Sequence, residues 1–429
     1  MTPATPHRPT QLLLNLGHAI DHMFLLIFAT AVTSIAQDFG LARWEDLMPY
    51  GVLAFLMFGL GSLPAGKLGD QWGRRAMMVV FFVGIGVAAI AVALAQSPLQ
   101  LALALGLLGT FAAIYHPVGI PMLLQGATRP GWTIGVNGLA GNLGIAVAAL
   151  VTGFLVKHLG WRAAFALPGV VAIGCGLAFA RLARPEAAPA AKKPPSAGLP
   201  AGLSLARILL VMTLASTTGN LIFNLSTNAN YELMADRLRE VTRDPALLGG
   251  LLAAVYTLAS FAQLVVGRLI DRVPLKALYL SVITFQALLL ALSTQLAGWA
   301  FYAALLLCMA AIFGAVPFTD AMLARYVDDR VRSRVAGMRL TISLGASSAA
   351  VWVLGPLVKG AGFTALLWTM AAIAIGTFTV VTALPALRAA GAAGAAGAAG
   401  AAGSAGPAGS AGTGGDAPPG PTTAPRTPA

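Results

Sequence analysis

The chain has 429 residues and a net charge of +12; 58% of its residues are apolar and only 10% are charged. Soluble domains carry about 25% charged residues, so a water-facing surface cannot be built from this composition. The composition excludes an ordinary soluble enzyme, a nucleic-acid-binding protein and a disordered protein. It predicts a polytopic membrane protein.

Apolar runs long enough to cross a bilayer follow one another along the chain. A bilayer core of about 30 Å requires roughly 20 apolar residues in helical conformation. Twelve such runs predict an all-α membrane protein with twelve transmembrane helices. The runs are 11–36, 48–68, 76–96, 98–123, 131–157, 161–182, 205–231, 247–271, 275–296, 298–325, 333–359 and 363–388.

The second half of the chain repeats short motifs of the first half. GKLGD at 66–70 recurs as GRLID at 267–271, 201 residues later, and a polar stretch rich in Pro and Ala lies between the repeats. Internal repeats are typical of secondary transporter folds, in which substrate binds between the halves. The sequence therefore predicts a six-helix bundle at 1–182, a linker at 183–204, a second six-helix bundle at 205–388 and a disordered tail rich in Ala, Gly and Pro at 389–429.

The distribution of Lys and Arg predicts the orientation of these helices. If the N-terminus is cytoplasmic, 18 of these residues lie on the inner side and 7 on the outer side. Cytoplasmic loops carry the excess of positive charge. We therefore expect a multi-pass monomer in the inner (plasma) membrane of the cell, with both termini in the cytoplasm.

The first run contains the polar residues Asn15, His18, Asp21 and His22. At about 100° per residue they share one helix face, within about 120° of arc. Ionisable residues in a span cost roughly 2.5–3.5 kcal/mol each on insertion scales, which makes a functional role the first hypothesis. A carboxyl group beside two imidazoles can exchange a proton. The pattern predicts proton coupling by Asp21, with His18 or His22 as relay; a structural hydrogen-bond cluster is the alternative.

The same residues allow a metal-binding interpretation. His18 and His22 have the i, i+4 spacing that can share a metal ion, with Asp21 as a further ligand and His116 joining from the fourth run. A transition-metal transporter is the lesser alternative, because the sequence offers no second group of Cys and His residues. No resident metal or other cofactor is predicted.

Other polar residues inside the runs are candidates for substrate binding. Asn220, Asn224 and Asn228 follow i, i+4 spacing and either contact substrate or hydrogen-bond a neighbouring helix. Tyr256 and Gln263 lie seven residues apart and share a face. The candidate substrate-binding residues are Asn15, His116, Asn137, Asn142, Asn220, Asn224, Asn228, Tyr256, Gln263, Asp320 and Arg339.

Two charged features lie near the ends of the runs. Arg339 can bind an anionic substrate, pair with Asp320 or extend its charged end to the membrane surface. The charged stretch 232–244 follows the seventh run and is expected to be a solvated extension of that helix, with a selectivity vestibule as the alternative.

The loop after the second run carries a family motif. GKLGDQWGRR at 66–75 resembles the signature loop of the major facilitator superfamily, G-x-L-x-D-x-x-G-R-R/K, and GRLIDR at 267–272 is similar to its weaker copy. The resemblance covers about 1–388 and implies a fold of two bundles that alternate between states. It also implies a latch between the halves, formed by Gly66, Asp70, Gly73, Arg74, Arg75, Asp271 and Arg272.

A finer resemblance concerns the direction of transport. YHPVG at 115–119 and GNLG at 141–144 are similar to the fosmidomycin-resistance-like branch, which is associated with proton-driven drug efflux. The resemblance implies proton-coupled export of a small organic compound by an antiporter; uptake of an organic anion or metabolite is the alternative. The proton is the default driving force, because the sequence contains no nucleotide-binding loop. A membrane-embedded enzyme would need a nucleophile with its base or a complete metal site, and only the polar cluster of the first run offers any part of these, which argues against an enzyme. The expected partners are a small-molecule substrate, protons and the lipid bilayer, without nucleic acid.

Overall fold

A computed structural model describes residues 8–125, 127, 130–183, 205–270, 272–326 and 329–384, and their regular structure is helical. Two short 3-10 helices, Trp44–Asp46 and Met48–Gly51, follow the first α-helix, and a π-helical turn, Tyr115–Gly119, follows the fourth. The α-helices are α1 (Arg8–Asp38), α2 (Val52–Trp72), α3 (Arg74–Ala93), α4 (Pro98–Ala112), α5 (Ile120–Leu124), α6 (Pro130–Leu159), α7 (Trp161–Leu182), α8 (Leu205–Arg237), α9 (Pro245–Ile270), α10 (Leu275–Ser293), α11 (Gly298–Tyr326) and α12 (Asp329–Thr382).

Eleven segments of the described chain are long and apolar enough to cross a membrane. The first ten predicted runs match one segment each; the fourth joins α4, the π turn and α5 as Pro98–Leu124. The last two runs overlap α12, which ends at Thr382; Gly362 has φ 77° and ψ 175° and interrupts this helix. The helical membrane class is confirmed. Twelve separate spans and two bundles stay predictions, and 184–204 and 389–429 lie outside the described residues.

Two glycines make the tightest connections between helices. Gly73 is the single residue between α2 and α3, and Gly160 is the single residue between α6 and α7. Their φ angles are 87° and 83°, a region that residues with a Cβ rarely adopt. The chain therefore reverses direction over one residue at each position, which keeps sequence neighbours antiparallel.

The outer surface of the helices is apolar. Large side chains such as Leu103, Leu288 and Trp352 are more than half exposed, which is unusual over such an area in a water-soluble protein. Glycines let the helices approach closely inside: a Cβ on Gly86 of α3 would lie 2.5 Å from the carbonyl oxygen of Gly169 in α7. A lipid-facing surface and small residues at helix contacts are the pattern of membrane helix packing.

Antiparallel helices place the connections at two ends of the molecule. At the end that we call the Asp38 end, Asp38 Oδ2 accepts a hydrogen bond of 2.6 Å from Arg162 Nη1. At the opposite end, the Arg75 end, Arg75 Nε donates a 2.8 Å hydrogen bond to the carbonyl oxygen of Ala183. Helices of the two repeats meet in the pairs α1 with α8, α2 with α12 and α6 with α9.

The prediction of a solvated extension after the seventh run is wrong for Glu232. Helix α8 continues to Arg237, and the side chain of Glu232 is packed against α1 at the Asp38 end. Glu232 is only 8% exposed, and its Oε1 accepts a 2.8 Å hydrogen bond from the Thr33 hydroxyl. A contact between the repeats therefore covers a carboxyl group that the local sequence pattern assigned to solvent.

Candidate functional site

Helix α1 and the π turn bring four ionisable side chains together in the first repeat. His18, Asp21 and His22 come from α1, and His116 comes from the π turn; we call these four residues the His–Asp cluster. His116 Nε2 lies 3.5 Å from Asp21 Oδ2. One nitrogen of each imidazole lies within 4.8 Å of a nitrogen of the other two. The polar face predicted for α1 therefore meets the histidine predicted in the fourth span.

The π turn interrupts the fourth span at its most polar position. Pro117 has no backbone N–H, so the regular α-helical hydrogen-bond ladder cannot continue through it. At this position the chain forms the five-residue π turn that contains His116. Such turns are rare and occur often at functional sites. Here the turn presents the imidazole to α1, with its ring centroid 5.2 Å from that of His18.

Asp21 is the carboxyl group of the cluster. It is 0% exposed, and neither of its oxygens has a hydrogen-bond partner among the described residues. Burial of a carboxyl group without hydrogen bonds costs stability. A residue that costs stability at the centre of a membrane helix is expected to be kept for function.

The orientation of His18 is set by α6. Its Nδ1 lies 2.7 Å from the carbonyl oxygen of Asn137. Because a carbonyl oxygen can only accept, Nδ1 carries the hydrogen and Nε2 keeps its lone pair. Space for the ring comes from Gly141, where a Cβ would lie 2.7–2.9 Å from three ring atoms of His18. Helix α6 therefore fixes both the position and the tautomer of His18.

Asn137 connects the cluster to two further polar groups. Its Nδ2 donates to Asn15 Oδ1 at 2.9 Å and to the Tyr115 hydroxyl at 2.7 Å. The Tyr115 hydroxyl donates to the carbonyl oxygen of Leu14 at 2.8 Å, and its ring stacks on His18 at 4.8 Å. Asn15 and Asn137 were predicted from the sequence, whereas Tyr115 entered only as part of a motif. Its position directly before His116 was the available signal.

The asparagines of α8 make contacts with α12 in the second repeat. Asn220 and Asn224 donate through Nδ2 to the Ser347 hydroxyl at 2.7 and 3.0 Å. Asn228 donates to the carbonyl oxygen of Asn224 at 3.0 Å. The sequence left two roles open, substrate contact and hydrogen bonding to a neighbouring helix. The observed contacts are hydrogen bonds from α8 to α12 and within α8. Substrate contact by these asparagines stays a prediction.

The remaining predicted substrate residues are dispersed. Tyr256 is buried, with its hydroxyl 3.3 Å from Asn230 Nδ2. Gln263 Oε1 would lie 3.7 Å from a Cβ on Gly138, so it is near α6 of the first repeat. Asn142 is buried, and its Nδ2 has no hydrogen-bond partner in the part of the chain that is described. Outside the described atoms lie the side chains of Asp320 and Arg339 and the whole of Asp271.

The described residues of the predicted latch lie at the Arg75 end. Residues 66–72 form the end of α2, so the prediction of a loop is wrong for them. A Cβ on Gly66 would be 3.4 Å from Pro117, so the start of the signature motif packs beside the π turn. The Arg75 guanidinium donates to the carbonyl oxygens of Ala180 and Ala183, at the end of α7. The other described latch residues are Gly73 between α2 and α3, Arg74 at the start of α3, and Asp70 and Arg272, which are exposed.

Ion pairs join the two repeats at the Asp38 end. Lys157 at the end of α6 pairs with Asp244 before α9, and Lys359 of α12 pairs with Asp46 after α1. The two lysines stand 202 residues apart, at equivalent positions of the internal repeat. The pairing is therefore reciprocal: each repeat supplies one lysine and one carboxylate to the other.

Close helix contacts accompany these ion pairs. A Cβ on Gly153 would lie 2.5 Å from the carbonyl oxygen of Pro245, and a Cβ on Gly355 would overlap that of Glu45. These glycines are also 202 residues apart. Two equivalent glycine contacts and two equivalent ion pairs close the Asp38 end.

The chain is similar in sequence to a known protein family and to individual proteins. The family model of the Major Facilitator Superfamily matches residues 14–343. The chain is 29% identical over 198 residues to the tetracenomycin C resistance and export protein of Streptomyces glaucescens. The matched region is 44% of this chain and 36% of that protein. This chain is also 27% identical over 187 residues to a probable hexose phosphate transport protein of Chlamydia pneumoniae. That matched region is 43% of this chain and 39% of the relative. The matches thus span well under half the length of these relatives.

A solved structure has the same fold. The crystal structure of a bacterial homolog of the human lysosomal transporter Spinster, in an inward-facing and unoccupied conformation, gives a TM-score of 0.65 at 14% identity. The comparison covers 87% of this chain and 94% of that chain. At this identity the likeness concerns the fold alone.

Proposed function

The chain belongs to the Major Facilitator Superfamily, and from this premise we propose that it moves a small organic compound across the inner (plasma) membrane by alternating access, as a proton-coupled exporter. That it is a multi-pass membrane transporter follows from the family and the fold. The compound, the direction and the coupling ion are parts of the proposal.

The proposal rests on a difference between the contacts at the two ends of the molecule. At the Asp38 end, Lys157 with Asp244 and Lys359 with Asp46 join the repeats, whereas Asp70 of the signature loop is exposed at the Arg75 end. Alternating access requires two arrangements of the repeats around one site. The contacts support an arrangement closed at the Asp38 end. The distribution of Lys and Arg favours the Arg75 end as cytoplasmic, which makes this arrangement inward-facing.

The proposal includes the full transporter architecture. The break at Gly362 divides α12 into an eleventh and a twelfth span, and six spans then fall on each side of the linker 183–204. The signature loop at 66–75 and its copy at 267–272 latch the halves together in the outward-facing state. The transporter acts as a monomer, because each chain contains both repeats.

Direction and coupling follow from the resemblances of the sequence. Export agrees with the motif at 115–119 and with the export protein among the relatives. The hexose phosphate relative supports the alternative, uptake of an organic anion or metabolite. The His–Asp cluster is the proposed exchange site for the coupling cation, which the sequence predicts to be a proton carried by Asp21 with His18 or His22 as relay.

Accumulation of dyes, drugs and organic acids in an efflux-deficient bacterium tests the proposal. Cells express the wild type, Asp21→Asn or the matched control Asp236→Asn, whose side chain is exposed. Lower accumulation with the wild type and the control, abolished by a protonophore and by Asp21→Asn, is the expected result. Higher accumulation with the wild type indicates uptake. Equal accumulation of every compound, with the protein detected in the membrane, contradicts transport of these compound classes.

A further inference from the structure

We infer that His18, Asp21, His22 and His116 form a binding site for one divalent transition-metal ion, with Zn²⁺ as the ion that fits best. Three imidazole nitrogens and one carboxylate oxygen are ligands that Zn²⁺ takes in four-coordinate sites. The inference concerns binding by these four side chains. It is therefore independent of the direction of transport and of the organic substrate.

The distances within the cluster suit a four-coordinate site. Metal–ligand distances of about 2.0–2.2 Å place the ligands of a tetrahedral Zn²⁺ about 3.3–3.6 Å apart. Asp21 Oδ2 and His116 Nε2 already lie 3.5 Å apart. The imidazole nitrogens lie within 4.8 Å of one another. To coordinate one ion, His22 and His116 need to approach His18, which α6 holds in place, by up to about 1.5 Å. The three imidazoles therefore form the centre of the site, and Asp21 adjoins it beside His116.

The ligand atoms are available for coordination. His18 Nε2 and both oxygens of Asp21 are buried and make no hydrogen bond to any residue that the structure describes. His18 Nδ1 donates to the carbonyl oxygen of Asn137, the outer contact that orients most metal-binding histidines. Nε2 therefore keeps a lone pair that can bind an ion.

The surroundings of the cluster favour a cation of this class. Asp21 brings a carboxyl group with no ion pair to Lys or Arg in the described part of the chain. Imidazole nitrogens suit Zn²⁺ and neighbouring first-row ions, whereas Mg²⁺ and Ca²⁺ require mostly oxygen ligands. The two cysteines lie in other helices, at Cys175 and Cys308. The site should therefore select Zn²⁺ over Mg²⁺ and Ca²⁺ without help from a thiolate.

Calorimetric titration of the purified full-length protein with Zn²⁺ tests the site. The protein carries Cys175→Ala and Cys308→Ala and no histidine tag, so that neither thiols nor a tag bind the metal. We expect one Zn²⁺ per chain, no response to Mg²⁺, and affinity reduced more than about tenfold by His22→Ala, His116→Ala or Asp21→Asn. The control His158→Ala removes an exposed histidine of α6 and should leave the affinity unchanged.

Cobalt spectroscopy provides a second readout that does not depend on stable variants. Co²⁺ in the wild type should give the intense visible absorption of a tetrahedral site with nitrogen and oxygen ligands, and Zn²⁺ should displace it. No Zn²⁺ binding, or binding that His158→Ala removes and the cluster variants do not, would overturn the inference. If the protein exports a compound but binds no Zn²⁺, the metal site is refuted and the proposed transport stands. If it binds Zn²⁺ but exports none of the compounds, the metal site stands and the proposed substrate is refuted.

Discussion

The carboxyl group of Asp21 lies 3.5 Å from Nε2 of His116, although the two residues are 95 positions apart in the chain. One belongs to a regular helix and the other to a π turn. The contact assembles the His–Asp cluster inside the first repeat. Any ion held there is bound by two segments of the same repeat.

Gly141→Ala should impair the cluster without replacing any member of it. The added Cβ would lie 2.7–2.9 Å from the His18 ring and would displace it. We expect transport to fall roughly tenfold, as when the support of a functional ligand is lost. Gly138→Ala on the same helix is the control, because its Cβ meets nothing closer than Gln263 Oε1 at 3.7 Å. Equal transport by both variants would contradict the positioning role of Gly141.

Tyr115→Phe should destabilise the first repeat. The substitution removes the hydrogen bond to Leu14 and the acceptor of one hydrogen bond from Asn137. Loss of buried hydrogen bonds costs about 1–3 kcal/mol, so the melting temperature of the protein in detergent should fall. Tyr50→Phe changes an exposed tyrosine and should leave the melting temperature unchanged. Equal melting of both variants would show that the Tyr115 hydroxyl adds no stability.

Reversal of one charge in the Lys157–Asp244 pair should favour opening of the Asp38 end. Opening can be followed by labelling a cysteine at Ala149, which is 1% exposed beside Gly249 in the closed arrangement. In a background without native cysteines, Lys157→Glu should accelerate labelling because two carboxylates then face each other. The double variant Lys157→Glu with Asp244→Lys should restore slow labelling. Failure of this rescue would mean that the ion pair does not contribute to closure.

The ion pair should be insensitive to pH in the neutral range. The hydrogen bond from Lys157 lowers the pKa of Asp244 below the ordinary value of about 3.9. A lowered pKa in the closed arrangement means that the stabilisation is present above the ordinary value and is lost as the pH falls through the lowered one. Because the thiolate is the reactive form of cysteine, the labelling rate at Ala149→Cys is divided at each pH by the rate for the same cysteine in unfolded protein. The corrected labelling rate should stay constant between about pH 5 and pH 8. Faster labelling at pH 5 would show that another titratable group controls opening of the Asp38 end.

Gly355→Ala should also prevent full closure of the Asp38 end. A Cβ at this position would overlap the carbonyl oxygen of Glu45, and a backbone atom cannot move aside as a flexible side chain can. Labelling at Ala149→Cys should become faster. Gly360→Ala, five residues later in α12, meets nothing within 4 Å and serves as the control. Similar labelling in both variants would contradict a tight contact in the closed state.

The class of fold and the ends of most helices were predictable from the sequence. The predicted run 161–182 coincides with α7, and the run 275–296 differs from α10 only at its end. Apolar content and chain length decide whether a segment spans a bilayer, and both are local properties. The gap between the last two predicted runs, 360–362, contains Gly362, where α12 is interrupted.

The membrane class, the internal repeat and the polar face of α1 could be predicted from composition and helical periodicity, because both are properties of residues near one another in the chain. The residues that this face contacts became known from the packing of the helices. This packing placed His116 beside Asp21, left room for His18 at Gly141 and buried Glu232 of α8 against α1. Each of these contacts joins residues about a hundred or more positions apart. Such contacts depend on how helices pack, and periodicity within one helix carries no information about the identity of its neighbour.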